Sequence, residues 1–428
     1  MELQTARGVR DIPPEEKIVK NKVVDTLRKA FEVYGFSPLE TPIIERYETL
    51  AAKGGAGTSS DVMKETFKFK DQGKRNLGLR FELTTSLARF IGMNPQMKMP
   101  FKRYEIGAVF RDGPIKLGRY RQFWQCDVDI VGSKSMLSDA EVLSVVQTVF
   151  DKLNLDIVIK VNNRKLLNGI LTQAGIKKKE EAIIAVDKLD KIGVKGVSEE
   201  LTQRGYKPEQ IESLFDLIKE GITIKELKQL ITDEEGLEGL EEIDQLFAYL
   251  KNMGVKSAVF DISLARGLAY YTGTVFEAFL KKGKVTSSLA GGGRWDGMIG
   301  KFLGGNREIP AVGVAFGLAP IMDVLKEREE MKKRSLAEVY VVPIKTVSES
   351  LSIVQELREA NINTEMDLNG RGMSKNMQYA NALGIPNVII IGEDELKKKK
   401  VLLRNMETGD QQLLSLNTVI KKWIIKKD

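Results

Sequence analysis

Residues 110–132 read FRDGPIKLGRYRQFWQCDVDIVG, a loop between two apolar, strand-like runs, with Arg111, Arg119 and Arg121 at one end and Gln125, Asp127 and Asp129 at the other. Strand residues two apart point to the same face, so Gln125, Asp127 and Asp129 project together. They alternate with Cys126, Val128 and Ile130, a pattern too polar for a strand buried on both faces. Guanidinium forks suit phosphates, and carboxylates suit cations. An element carrying both can hold a zwitterion beside a polyphosphate, the requirement for activating an amino acid with ATP. The bland reading is a surface hairpin with solvated arginines.

Three other segments carry groups of the same kind. In LRFELTTSLAR, Glu82 and Thr84 stand where a strand-like run meets a helix start. Either Thr84 or Thr85 caps that helix, or a carboxylate and a hydroxyl wait there for a substrate ammonium. In SLARGLAYYTGTVFE, Arg266 lies between Ala265 and Gly267 and is followed by Tyr270 and Tyr271, a setting for an arginine buried against an anion. GGGR at 291–294 reads as a tight turn; it lacks the Lys-Ser/Thr of a phosphate loop.

The chain of 428 residues contains no histidine and one cysteine, Cys126. That excludes a Ser-His-Asp triad, imidazole acid–base chemistry and the commonest zinc sites. The cysteine usage fits a reducing cytoplasm. No run of 18 apolar residues is present and the N-terminus has no apolar core of a signal peptide, so neither membrane insertion nor secretion is expected. Net charge is +7, and residues 1–125 hold 23 basic against 15 acidic residues. The surplus suits nucleotide or nucleic-acid phosphate, and it suits solvated lysines equally well.

To position these groups the sequence offers a helix from Pro13-Pro14 to about Tyr34, stopped by Gly35. Strand-like runs follow at 37–44, 64–70, 78–81, 101–110 and 123–131, a succession that predicts an antiparallel sheet. A helix is expected at 139–153. Leu/Ile at helical spacing marks a helical insertion at about 165–250, and strand character returns at 258–280. After a charged hinge (326–334) the pattern alternates strand and helix, as in a small α/β domain with a mostly parallel sheet.

Taken together, RGVRDIPPEE, GFSPLETPIIE, LRFELTTSLAR, the 110–132 segment, LARGLAYYTGTVFE and GGGRWDGMIG resemble the histidyl-tRNA synthetases, class II aminoacyl-tRNA synthetases. The stretch VVPI…LREANI…GIPNVIIIGEDEL is similar to their anticodon-binding domain. The resemblance implies an α+β catalytic domain over 1–330 with the helical insertion, a hinge at 331–335 and an α/β anticodon-binding domain over 336–428. It implies a cytoplasmic homodimer with no membrane association. Its substrates would be L-histidine, ATP with Mg²⁺, and tRNA(His).

The resemblance also implies roles. Arg111, Arg121 and Glu105 belong to the ATP site, and Arg119 lies on the loop that meets the tRNA acceptor end. Glu82, Thr84 and Gln125 hold the ammonium, Asp129 and Tyr271 pair with the imidazole nitrogens, and Tyr270 lines the pocket. Arg266 sits between the carboxylate and the α-phosphate and, with Arg111, carries catalysis. Three positions depart from the family. Ala319-Pro320 stands where the third motif offers an arginine to adenine, Ala269 replaces an acidic residue, and Trp295 replaces a tyrosine. The alternatives are a non-catalytic regulatory subunit of ATP phosphoribosyltransferase, a class II synthetase for another amino acid, and a plain tRNA-binding module. The last gains little from 13 basic against 12 acidic residues after position 335.

A chain without histidine codons draws no charged histidine tRNA for its own synthesis. Under histidine starvation its synthesis should persist, while that of a variant carrying several added histidine codons should fall; equal synthesis of the two would contradict this.

Overall fold

The computed structural model describes residues 2–52, 63–115, 120–219, 221–266, 270–302, 308–328 and 334–427. The chain divides into two compact units, 1–10 with 23–324 and 11–22 with 325–428. Their sixteen described strands, in chain order, are β1 (Ser37–Pro38), β2 (Ile44–Arg46), β3 (Lys68–Lys70), β4 (Asn76–Leu79), β5 (Phe101–Phe110), β6 (Gln122–Val131), β7 (Ile157–Asn163), β8 (Ala258–Phe260), β9 (Thr274–Leu280), β10 (Ala290–Arg294), β11 (Ala311–Gly317), β12 (Val339–Pro343), β13 (Thr364–Met366), β14 (Asn387–Ile391), β15 (Val401–Asn405) and β16 (Gln411–Leu414).

An eight-stranded sheet in the order β1-β5-β6-β11-β10-β9-β7-β8 forms the first unit, with a small β2-β4-β3 sheet beside it in sequence. The inner pairings are antiparallel, and β1 and β8 join the two edges in parallel. The antiparallel centre agrees with the expectation from sequence. The expected single strand over 37–44 is broken instead. Pro38 and Pro42 lack the N–H that a ladder needs, so β1 ends at Pro38 and β2 starts only at Ile44.

Strand alternation gives the large sheet two unlike faces. One carries Tyr104, Cys126, Val128, Ile130, Val312 and Phe316, all buried. Phe31 of the helix Pro14–Val33 and Phe150 of the helix Met136–Lys152 pack on Phe316, with ring centroids 5.6 and 5.8 Å away. The other face is polar on β5 and β6, where Arg103 pairs with Asp129, Glu105 with Asp127 and Gly107 with Gln125. On the neighbouring strands it is nearly bare: Gly313 and Ala315 on β11 face Asp129 and Asp127, and Gly293 and Gly291 on β10 follow. GGGR is therefore a central strand, not the turn its glycines suggested. A Cβ at Gly291 would collide with Arg266 and one at Gly313 with the Asp129 carboxylate. The missing side chains leave a hollow.

Arg294, the last residue of β10, points to the helical face. Its guanidinium is buried against Asp139, in the first turn of the helix Met136–Lys152, and donates to the Ser133 carbonyl at 2.9 Å. Six helices between Arg164–Gln173 and Glu234–Asn252 share an apolar core that includes Leu166, Ile170, Leu214 and Ile243, which is the expected insertion.

The second unit has the strand order β13-β12-β14-β15-β16. β12 is parallel to β13 and β14, as expected, but β15 and β16 extend the sheet as an antiparallel hairpin. That pair was invisible because VLLRN and QQLL are short and lack clean alternation. Both faces of β12 and β14 are buried, Val341 and Ile389 on one and Tyr340 and Val388 on the other, as a covered parallel sheet requires. Part of the expected 326–334 hinge is helical, since Leu318–Glu327 includes its first two residues; 329–333 lie outside the described residues. No described helix is long and apolar enough to cross a membrane.

Removing one partner of a buried ion pair strands the other. Arg294→Met should lower stability by ~3–5 kcal/mol, and adding Asp139→Leu should recover most of the loss. Chemical unfolding of the single and double variants checks this; a double variant no more stable than the single one would contradict it.

Candidate active site

The hollow on the polar face is a cavity of about 270 Å³. Glu82, Thr84, Gln125, Asp127 and Asp129 line it together with Arg111, Arg266, Tyr270, Tyr271 and Trp295. A second cavity of about 310 Å³ shares Arg111 with the first; its walls include Glu65, Tyr120, Phe123, Ser288 and the strand-to-helix junction from Gly317 to Pro320. Eight of the expected site residues thus meet on one cavity, and Arg111 stands where the two adjoin.

The acidic end is supported from beneath. Arg103, fully buried, holds Asp129 at 2.8 Å and approaches Glu105 at 3.7 Å. Glu105 in turn accepts hydrogen bonds from Arg80 at 2.9 Å and from the Thr41 backbone and hydroxyl at 2.9 and 2.7 Å. Glu105 therefore belongs to a buried ionic layer and lines neither cavity, unlike Arg111 of the expected ATP-site residues. Burial pushes the Asp129 carboxyl up to about 6, with Arg103 opposing it. Burial likewise holds Asp127 well above the usual carboxylate range, again against Arg103 and with help from the Asp129 charge. Among the described residues, neither Gln125 Oε1 nor Asp127 Oδ1 has a hydrogen-bond partner, although both are buried. Buried acceptors left open are costly, and these two are poised for a cationic donor.

Glu82 also resolves the question of the helix start. Its carboxylate accepts from the Thr85 backbone at 2.9 Å and from the Thr85 hydroxyl, while Leu83 is the cap residue and makes no side-chain cap bond. Thr84 and Thr85 are thus inside the first turn of the helix Thr84–Met93 and neither caps it. Thr84 is left to face the cavity.

The cationic end consists of two guanidiniums gripped by aromatic rings. Arg111 lies 4.3 Å from the Phe81 ring centre and 4.9 Å from that of Phe123, and donates to the Phe81 carbonyl at 3.4 Å. Arg266 lies 5.6 Å from the Tyr271 ring centre, 3.3 Å from Glu277, and donates to the Phe276 carbonyl. Burial opposes its charge, but Tyr271, Glu277 and Tyr270 outweigh that and raise its proton affinity. Tyr270 and Tyr271 lie against each other at 4.5 Å, with hydroxyls 3.5 Å apart. Burial, and then the Glu82 charge, raise the Tyr270 phenol to about 12, so it stays a neutral donor. Trp295, outside the expected set, is buried on the same cavity and, after Arg103, helps to oppose the upward shift of Asp129.

Arg121 does not join either cavity: it pairs with Asp112 at 3.0 Å, and its backbone N–H donates to Gly8. Arg119 lies outside the described residues. Arg103, Arg80 and Trp295 were not expected at the site. Arg103 shares parity with Glu105, but only the β5–β6 register brings it under Asp129. Chemically, acceptors and guanidiniums on one cavity fit a zwitterion, and the second cavity, which shares Arg111, gives an attached polyanion room. Among the described residues no group of three acidic or sulfur ligands could hold a metal.

Comparison with known proteins agrees with this geometry. Residues 8–321 match the family described as histidyl-tRNA synthetase, and 338–427 match the anticodon binding domain. The chain is 43% identical over 425 residues to histidine–tRNA ligase 1 of Bacillus cereus, covering 98% of this chain and 97% of that one. It is 38% identical to histidine–tRNA ligase 2 of Shouchella clausii, covering 96% and 97%. Among solved structures, histidyl-tRNA synthetase from Nostoc sp. PCC 7120 is 31% identical with a TM-score of 0.87, covering 99% of each chain.

Asp127 carries a folded-state proton affinity above its ordinary value of 3.8. Its ionised form therefore costs stability, with no cost below about pH 4 and a cost that grows as pH rises to the folded value. Asp127→Asn should raise the melting temperature by about 2–5 °C at pH 7.5, the gain vanishing towards pH 4. Melting curves across that range check the sign; a variant that melts lower at pH 7.5 would contradict the electrostatic account.

Proposed function

The chain belongs to the histidyl-tRNA synthetase family, and on that premise we propose that it is a histidine–tRNA ligase, joining L-histidine to ATP as an adenylate and passing it to the 3′ end of tRNA(His). The observation that carries this reading is one cavity lined by four acceptor side chains, Glu82, Gln125, Asp127 and Asp129, and by two guanidiniums, Arg111 and Arg266. Glu82, Thr84 and Gln125 take the ammonium, and Asp127 adds a fourth acceptor beside them. Asp129 and Tyr271 pair with the two imidazole nitrogens, while Tyr270 and Trp295 close the walls. The substrate carboxylate lies towards Arg266, and the triphosphate passes Arg111 into the second cavity.

Activation needs no general base, because the carboxylate is itself the nucleophile. Its oxygen forms a bond to the α-phosphorus as the bond to the bridging oxygen breaks, and pyrophosphate leaves with that electron pair. The difficulty is to bring two anions together and to stabilise the charge that develops. Arg266 and Arg111, fixed by aromatic faces and backbone carbonyls, meet that charge without reorganising. Proximity contributes a further ~7–11 kcal/mol. Mg²⁺ enters with ATP as part of the nucleotide substrate, held chiefly by phosphate oxygens. A wrong side chain would leave Asp129 and Tyr271 unpaired, a penalty worth ~10⁴-fold or more where a site is built on such bonds.

We assign residues 1–330 to the class II catalytic domain, 331–335 to a hinge and 336–428 to anticodon recognition, in a cytoplasmic homodimer. Arg119 would meet the acceptor end of the tRNA. Arg121 is assigned to loop support through Asp112, and Glu105 to positioning Arg103, rather than to contact with ATP.

Amino-acid-dependent exchange of pyrophosphate into ATP tests the reading. Histidine alone should support exchange. Arg266→Ala should reduce it by ~10³-fold or more, in the range lost with one preorganised transition-state donor, while histidine still binds within a few-fold. No exchange with any amino acid would favour the regulatory-subunit alternative, and normal exchange by the Arg266 variant would refute the mechanism.

A further inference from the structure

The second cavity has a polarity that the family's general chemistry does not assign. It holds Arg111, which it shares with the amino-acid cavity, and the carboxylate of Glu65, which the amino-acid cavity lacks. Apolar wall comes from Pro114, Phe123 and from Leu318, Ala319 and Pro320 at the start of the helix Leu318–Glu327, with Tyr120 and Ser288 as the other polar side chains of the lining. The Pro320 ring is packed close over Gly317, where a Cβ would stand 2.8 Å from it. A flat, uncharged ring fits such walls, with the phosphates running back towards Arg111.

The Glu65 side chain is placed by its surroundings. Its backbone carbonyl accepts from the Asp112 N–H at 2.7 Å, which ties it to the residue following Arg111. Its carboxylate lies across Gly113, so closely that a Cβ there would stand 2.9 Å from all three carboxylate atoms. Among the described residues, no hydrogen bond or ion pair engages that carboxylate, and it lines the cavity. The one acceptor-only group on this wall thus faces the space left for the base.

We infer that Glu65 selects the base of the nucleotide: its carboxylate accepts from the 6-amino group of adenine and repels the 6-oxo group of guanine or hypoxanthine. The inference rests on the reading of the chain as an ATP-dependent amino-acid-activating enzyme. An ionised carboxylate is acceptor-only, so a 6-oxo base brings lone pair against lone pair and leaves both groups unpaired. With Ala319 and Pro320 standing where a guanidinium would grip every base alike, the hydrogen bond at Glu65 carries the discrimination.

The test compares histidine-dependent pyrophosphate exchange with ATP, with inosine triphosphate and with purine riboside triphosphate, which has no 6-substituent. In the unmodified protein, kcat/KM should fall by about 10²-fold from ATP to inosine triphosphate, the loss expected where a 6-oxo group meets a carboxylate. Glu65→Gln, whose amide can both accept and donate, should shrink that ratio at least tenfold, and Glu65→Ala should bring ATP level with purine riboside triphosphate. The KM for histidine should not move. If Glu65 only supports the loop, both variants would lose ATP and inosine triphosphate activity in equal proportion, and that result would overturn the assignment. Absence of exchange in the unmodified protein would instead overturn the activation reading, and this assignment with it.

Discussion

Two carboxylates on adjacent same-face positions of one buried strand repel each other, and each also loses hydration. Asp127 and Asp129 are in that position, with Glu82 on the same cavity. What makes the arrangement tolerable is the Arg103 guanidinium, buried on the neighbouring strand and in contact with Asp129 and Glu105. Arg80 and Thr41 then donate to the other Glu105 oxygen, Oε1. The ionic layer under the cavity is therefore a condition for the acidic cavity above it. It leaves Asp127 and Asp129 short of protein partners, with proton affinities raised, so an incoming cation completes the network. Stability is given up in the unliganded chain at the point where binding recovers it.

The same economy of space shapes the cationic end. Arg266 and Asp129 both lie over glycines, and the strand that reads GGGR is flat backbone because side chains are needed from its neighbours. Arg111 is fixed by the aromatic faces of Phe81 and Phe123 and by the Phe81 carbonyl. A guanidinium stacked on aromatic faces stays charged while losing its freedom to wander. That property suits a chain with no histidine: every group assigned to the chemistry acts by position and charge, and none needs to change protonation state.

Much of this was legible from residue type and spacing. Gln125, Asp127 and Asp129 declared a polar strand face by their alternation, and the small neighbours of Arg266 marked it as an arginine of the interior, where it lines the cavity beside Glu277. The long strands β5 and β6 could be read directly because their patterns run for ten residues. The short ones could not: proline breaks in 37–44, the glycine strand β10 and the last hairpin carry too few patterned residues. Glycines in particular are ambiguous, since a missing side chain serves a turn and a crowded cavity floor equally well.

The sequence by itself determined which chemistry was possible: arginines and carboxylates without imidazole, an antiparallel core, an inserted helical segment and a following α/β region. Tertiary structure alone decided which of those charges meet. Arg103 reaches Asp129 through cross-strand register, Glu105 turns away into a buried layer, Arg121 is drawn to Asp112, and Glu65 comes to the second cavity through a backbone hydrogen bond to Asp112. The physical reason is that side-chain type and local period are properties of neighbours along the chain. Register and the contacts of loops are set by which distant backbones pair, and no local pattern encodes that.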